Sequence, residues 1–205
     1  MVDRAIRLPG RRLRRILVAV AISAAAGTGA AWGSGAFRIH SDHAVGVRFG
    51  SRVSVFQRAG AHSVRLPAAA LRSRLVQNFR VDLGRVQLVS SGVHRRVFLA
   101  PGSNGSLCLF LDEGDQGTTT ECAGRDLLLR DGAMYITEPQ SDGSFDLVAA
   151  VPDGVTAVRA GSGLAAAAQN NVVVLNHVTS QQITLVGSTG TATLDLGPQS
   201  PPSTG

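Results

Sequence analysis

Apolar positions along this chain fall into three regimes. The first is an uncharged run of 22 residues, Ile16 to Phe37, reading ILVAVAISAAAGTGAAWGSGAF. A soluble core helix alternates polar side chains around its cylinder, and this run offers only Ser23, Thr28 and Ser34. In the second regime, residues 38–85, the pattern is irregular. Val45, Val47 and Phe49 alternate, as do Val53 and Val55, predicting one or two short strands between His40 and Val55. Pro67 then opens a helix, PAAALRSRLVQNF, with Leu71, Leu75, Val76 and Phe79 at helical spacing.

From residue 86 onward the chain reads as β. Short runs rich in Val, Leu, Ile and Phe predict strands over Val86–Ser90, Arg95–Ala100, Ser106–Leu111, Asp126–Arg130, Ala133–Thr137, Phe145–Ala150, Val155–Ala160, Asn171–Leu175, Gln182–Val186 and Thr191–Leu196. Between them stand Pro101-Gly102, Asn104-Gly105, Asp131-Gly132, Asp142-Gly143 and Asp153-Gly154, of which the Asn-Gly and Asp-Gly pairs favour the positive φ angles of tight hairpin turns. Asp131-Gly132 reads as a two-residue hairpin loop. The spacing predicts a mainly β fold, a small antiparallel β sandwich or barrel-like domain with one short helix, preceded by a single N-terminal transmembrane or signal helix. The implied layout is a basic arm (1–15), the apolar segment (16–37), a basic linker with short strands and one helix (38–84), the β-rich domain (85–196) and a disordered tail (197–205).

Charge sharpens the reading of the N-terminus. Arg4, Arg7, Arg11, Arg12, Arg14 and Arg15 precede the apolar run against a single acid, Asp3. Basic residues held on the cytoplasmic side orient such a segment with its N-terminus inside and the following domain outside. The run has the ~20 residues needed to span a bilayer, and Trp32 stands where an interfacial aromatic would. This favours an uncleaved single-pass anchor. The alternative is a secreted protein: Ile16–Ile22 has the length of a signal-peptide core, and Ala24-Ala25-Ala26 fits a small-x-small cleavage site.

Residues 1–96 hold seventeen of the twenty arginines and three acids, whereas residues 97–205 hold three arginines and eleven acids. The chain has no lysine, so coding bias toward G and C accounts for much of the pI of 11.1. The asymmetry still points the basic half toward a membrane surface or an anionic polymer. On the predicted helix Arg72, Arg74 and Arg80 lie mostly opposite the apolar face and are the candidate residues for holding a polyanion. Nucleic acid is not expected as a partner, because stacking aromatics are few: Phe49, Phe56 and Phe79. Another envelope protein is the other candidate partner.

Cys108 and Cys122 are the only cysteines. Two cysteines at this spacing do not supply the four paired ligands of a structural zinc site, and in an oxidising compartment they read as a disulfide. Closing a loop of ~15 residues stabilises a fold by roughly 3 kcal/mol in the chain-entropy picture. In this layout Cys108 lies on a strand and Cys122 just beyond the loop DEGDQGTTTE.

Catalytic and metal signals are weak. No serine sits in G-x-S-x-G. His94 and His177 offer a triad only if the fold brings a serine and a carboxylate to them. His40, Asp42 and His43 cluster beside the apolar run, where a solvated linker is expected. Asp112, Glu113, Asp115 and Glu121 place four carboxylates in the cysteine loop without the EF-hand register, so a solvated acidic turn is expected. No cofactor, metal or catalytic residue is assigned.

The segments VSVFQRAGAHSVRLP (Val53–Pro67), LAPGSNGSLCLFL with ECAG (Leu99–Leu111, Glu121–Gly124), VPDGVTAVRA (Val151–Ala160) and NNVVVLN (Asn170–Asn176) resemble a family of exported, membrane-anchored envelope proteins of high-GC Gram-positive bacteria. The family carries no assigned activity. The resemblance implies an envelope location and disulfide pairing, and no catalytic residue. The chain is therefore expected to be a binding or structural module of the envelope. The alternatives are an extracytoplasmic hydrolase and a membrane-tethered regulator or sensor.

Overall fold

A computed structural model describes residues 52–58, 63–161 and 163–197. The basic arm, the apolar segment, the His40/Asp42/His43 cluster and the tail from residue 198 lie outside the described residues. What is described is mainly β: eleven strands in three antiparallel sheets with a few short helices.

Sheet A has the order β1 (Gln87–Ser91), β2 (Arg96–Pro101), β3 (Leu107–Asp112), β4 (Thr118–Ala123). Sheet B is β5 (Met134–Pro139), β6 (Phe145–Ala150) and β9 (Val172–Val178). Sheet C runs β11 (Gly190–Asp195), β10 (Gln182–Gly187), β7 (Val155–Ala160), β8 (Leu164–Ala167).

The apolar runs explain the layering. A strand with one wet face alternates, whereas one buried on both faces reads as a continuous apolar stretch. β3 (LCLFLD) and β6 (FDLVAA) are buried at every position. Alternate residues of β6 enter different cores. Val148 and Ala150 meet Val97, Leu99, Leu109 and Leu111 of sheet A. Phe145, Leu147 and Ala149 meet Val158, Ile183 and Leu185 of sheet C. The other face of sheet A, with Phe98, Ala100, Cys108, Phe110 and Cys122, is covered by Leu66, Ala70, Val76 and Val86. Residues 64–86 thus form a cap over sheet A.

The helix expected over Pro67–Phe79 is two: α1 (Ala68–Leu71) and α2 (Arg74–Asn78). Ser73 breaks them by turning extended (ψ 132°), and its hydroxyl accepts the Leu75 N–H at 3.3 Å. The serine is a better N-cap than an interior helical residue, which is why the periodicity overruns the break. Gly102 seats the cap on the sheet. A Cβ there would lie 2.6 Å from the Phe79 carbonyl oxygen, which also receives the Ser103 N–H at 2.8 Å. Gly102→Ala is expected to cost about 1–3 kcal/mol by forcing backbone apart, measured as a fall in thermal midpoint.

Two other expectations are corrected. Val53 and Val55 are expected on a strand, but Ser54–Gln57 is a 3-10 turn that delivers Val55 into the core between sheets A and B. Asp131-Gly132 is not a hairpin loop, and Asp126–Arg130 is not a strand: Arg125–Asp131 is helix α3. Gly132, at φ 72°, ends it and gives its N–H to the Leu128 carbonyl at 2.9 Å. A left-handed glycine serves a tight hairpin and a helix C-terminus equally well, so the local signal is ambiguous. β4 and β8 escape the strand pattern because TTTECA is polar at four of six positions and LAAA carries no β-branched residue.

Candidate functional site

The described residues offer three constellations. At the rim of the core between sheets A and B, Arg95 precedes β2 and reaches across the seam. Its Nη2 faces Asp146 Oδ2 at 2.7 Å, Glu138 Oε2 at 3.0 Å and Glu113 Oε1 at 3.5 Å, while Nη1 donates to Asn176 Oδ1 at 3.3 Å. Asp146 is shared: its Oδ1 accepts the backbone N–H of His177 at 3.0 Å, holding a bulge where His177 takes φ 54°. Burial opposes the guanidinium's charge, but the Asp146 hydrogen bond and the fields of Glu138, Asp146 and Glu113 outweigh it and raise its pKa.

Three carboxylates share one guanidinium nitrogen, which leaves negative charge uncompensated. Burial, and then the hydrogen bond and charge of Glu113, push Glu138 up to about 8 against the pull of Arg95. Glu138 is therefore expected to keep its proton near neutral pH. Sequence reasoning missed it, although one signal existed: Asp146 interrupts an otherwise apolar strand, and a buried acid in a strand requires a cationic partner. Beside it, Arg96 pairs with the buried Asp112 at 2.5 Å, and Asp112 also accepts the Thr118 hydroxyl at 3.2 Å. A second half-buried acid, Glu121 on β4, is pushed up to about 7 by burial, opposed by the Cys122 N–H. Near it Tyr135 is raised to about 12 by burial and by the charges of Asp131, Asp195 and Glu121.

The acidic loop does not converge on a cation site. Asp112 and Glu113 face Arg96 and Arg95, while Asp115 lies on the exposed side of a 3-10 turn and Glu121 on β4. Among the described residues no group of three or more His, Cys, Asp or Glu side chains is placed to hold a metal ion. Cys108 and Cys122 are bonded, directly opposite each other on β3 and β4 with Cα atoms 4.1 Å apart. Cys122 is on a strand rather than beyond a loop, so the bridge rivets two paired strands beneath the cap.

The fold does bring a serine and a carboxylate to His177, in an order unlike a relay. Ser144 Oγ donates to Asp142 Oδ1 at 2.6 Å, and His177 Nδ1 faces both Ser144 Oγ at 3.4 Å and Asp142 Oδ2 at 3.7 Å. A triad puts acid and nucleophile on opposite ring nitrogens; here both sit on one, and the hydroxyl proton points to the acid. The Ser144 hydroxyl and N–H hold Asp142 below the usual carboxylate range, with His177 adding to this. This is the chemistry of a hydrogen-bonded turn. His94 is exposed in the β1–β2 turn.

The third constellation is the cap. Arg72 follows α1 and donates from Nε to the Ala68 carbonyl at 3.3 Å. Arg74 begins α2, and Arg80 follows it at φ 47°. All three are exposed, as are Arg65 and Arg85 on the same cap, which helical spacing does not single out. Arg85 lies over the Phe56 ring, 5.7 Å from its centroid. The one acid among residues 63–86, Asp82, is turned to the Gly84 N–H at 3.0 Å. No family model matches the chain, and comparison with curated proteins and with solved structures gives no match.

Proposed function

We propose that this protein is a single-pass, membrane-anchored extracytoplasmic β domain, a non-catalytic binding or structural module of the cell envelope whose arginine cap holds an anionic envelope polymer. The carrying observation is how the arginines are used. Arg52, Arg95, Arg96 and Arg130 each sit within 4 Å of a carboxylate. Arg65, Arg72, Arg74, Arg80 and Arg85 form no ion pair among the described residues and face solvent; Arg58, Arg125 and Arg159 do the same singly elsewhere, but only the cap gathers five. Unpaired guanidinium groups gathered over one sheet favour phosphate- or carboxylate-bearing chains, which they bind in a fork geometry. The arginine-flanked apolar run, the disulfide and the resemblance to envelope proteins support the location. The three stacked sheets are read as a β sandwich enlarged by a third layer.

The test uses the full chain in detergent on a polyphosphate resin. The triple variant R72Q/R74Q/R80Q is expected to elute at clearly lower salt. Its dependence of log affinity on log salt falls by roughly 2–3, near one for each phosphate no longer neutralised. The N-terminal arginines are common to both proteins and cancel in the comparison. Unchanged elution by a variant of unchanged thermal midpoint would show that the cap is not the binding face.

A further inference from the structure

Three sheets have six edge strands, and their fates differ. β4 lies near β5 and β8 near β9, so four of the edges face another described strand without pairing to it. β1 is blunted by a bulge between Leu88 and Ser90. β11 remains: no described strand pairs with its outer edge, and its register with β10 runs without a bulge from Asp195 to Gly190. From Gly190 to Leu194 it carries no charge and no proline. Its single charge, Asp195, stands at the strand's end, so little else protects this edge.

The backbone groups it leaves open follow from the hairpin. Gly187 and Gly190 flank the two-residue turn Ser188-Thr189, so they form a hydrogen-bonded pair, as then do Leu185 with Ala192 and Ile183 with Leu194. The Leu196 N–H bonded to the Gln181 carbonyl at 2.8 Å continues the same alternation. Hence the N–H and C=O groups of Thr191, Thr193 and Asp195 point outward.

We propose that β11 pairs antiparallel with β11 of a second copy of this chain about a two-fold axis at Thr193. In that register Thr193 faces Thr193 of the other copy, and Thr191 faces Asp195. Every outward backbone group then gains a reciprocal hydrogen bond. The side chains are self-complementary too. Thr193 meets its like, a favourable cross-strand pair, and the strand's one charge, Asp195, meets the Thr191 hydroxyl instead of another carboxylate. On the inner face the buried Ala192 lies opposite the half-buried Leu194, extending the core between sheets B and C across the axis. An acidic extended peptide would instead set its charge against Asp195.

The test is register-specific crosslinking of the full chain in detergent, read on denaturing, non-reducing gels. Directly opposed residues of a hydrogen-bonded pair have Cα atoms about 5.5 Å apart, within disulfide reach. Thr193→Cys is expected to give a covalent dimer on mild oxidation. Thr191→Cys alone is not, but it crosslinks when mixed with Asp195→Cys. The native Cys108–Cys122 pair is buried and bonded, so the introduced thiol is the reactive one. Thr193→Lys, at an exposed position, sets like charges face to face, and sedimentation is expected to report loss of the dimer with the fold retained. Absence of a Thr193→Cys dimer, or equal crosslinking of Thr191→Cys by itself, overturns the proposal.

Discussion

Arg95→Ala is expected to destabilise the protein by about 3–5 kcal/mol, because it leaves the acids at the seam between sheets A and B without their cation and hydrogen-bond donor. The guanidinium lies 2.7 Å from Asp146 and 3.0 Å from Glu138, and its side chain is only 22% exposed. The loss depends on pH in a way that separates it from lost packing. At pH 4 protonation relieves the acids, so the gap to the wild type narrows; it widens steadily toward pH 9. Arg95→Lys keeps a charge but not the fork, and falls between the two because one ammonium cannot serve both the carboxylates and Asn176. Calorimetry of the three proteins from pH 4 to 9 checks this. A gap that is flat with pH would mean that Arg95 acts through its apolar stem alone.

The wild type is itself expected to lose stability as pH rises from about 4.5 to about 8. Glu138 keeps its proton in the folded state up to about 8, against an ordinary value of 4.5. Between those values the native state binds more protons than the unfolded chain, so the slope of stability against pH is negative, and it flattens above the folded value. Glu121, raised to about 7, adds a fall of the same sign over the lower part of that window. Asp142 and Asp153 are lowered and act in the opposite sense, with stability lost only as pH drops below the ordinary aspartate range. The thermal midpoint is therefore expected to peak near pH 4–5 and to decline by the equivalent of a few kcal/mol by pH 8. Glu138→Gln, which retains a neutral hydrogen-bonding group beside Glu113, is expected to remove most of the decline, and Glu121→Gln the earlier part. A midpoint that rises from pH 5 to 8 would contradict protonation of the seam.

The fold puts its described arginines to different uses. Arg52, Arg95, Arg96 and Arg130 are each held by a carboxylate, Arg130 by its neighbour Asp131 and Arg96 by Asp112 across the β2–β3 pair. Those on the cap have no acid within reach because residues 63–86 contain only Asp82. The apolar periodicity alone defined the outward face of that cap, which is why Arg72, Arg74 and Arg80 were legible as exposed cations.

The β-rich class, most strand positions and the cysteine pair were determined by the sequence by itself, because alternation, apolar runs and turn residues are local quantities. β6 and β7 keep their expected bounds, Phe145–Ala150 and Val155–Ala160. Local chemistry failed where one residue serves two structures: Gly132 ends a helix instead of turning a hairpin, and Ser73 splits a helix that periodicity joined. Only the tertiary structure decided the Arg95 cluster. Its members Arg95, Glu113, Glu138, Asp146 and Asn176 come from two sheets and are separated by up to 81 positions. Their hydrogen bonds form only once the A–B core has closed, and the same burial that creates the core pushes Glu138 up to about 8. Sequence spacing carries no record of that proximity, since a carboxylate's environment belongs to the packed seam rather than to its neighbours in the chain.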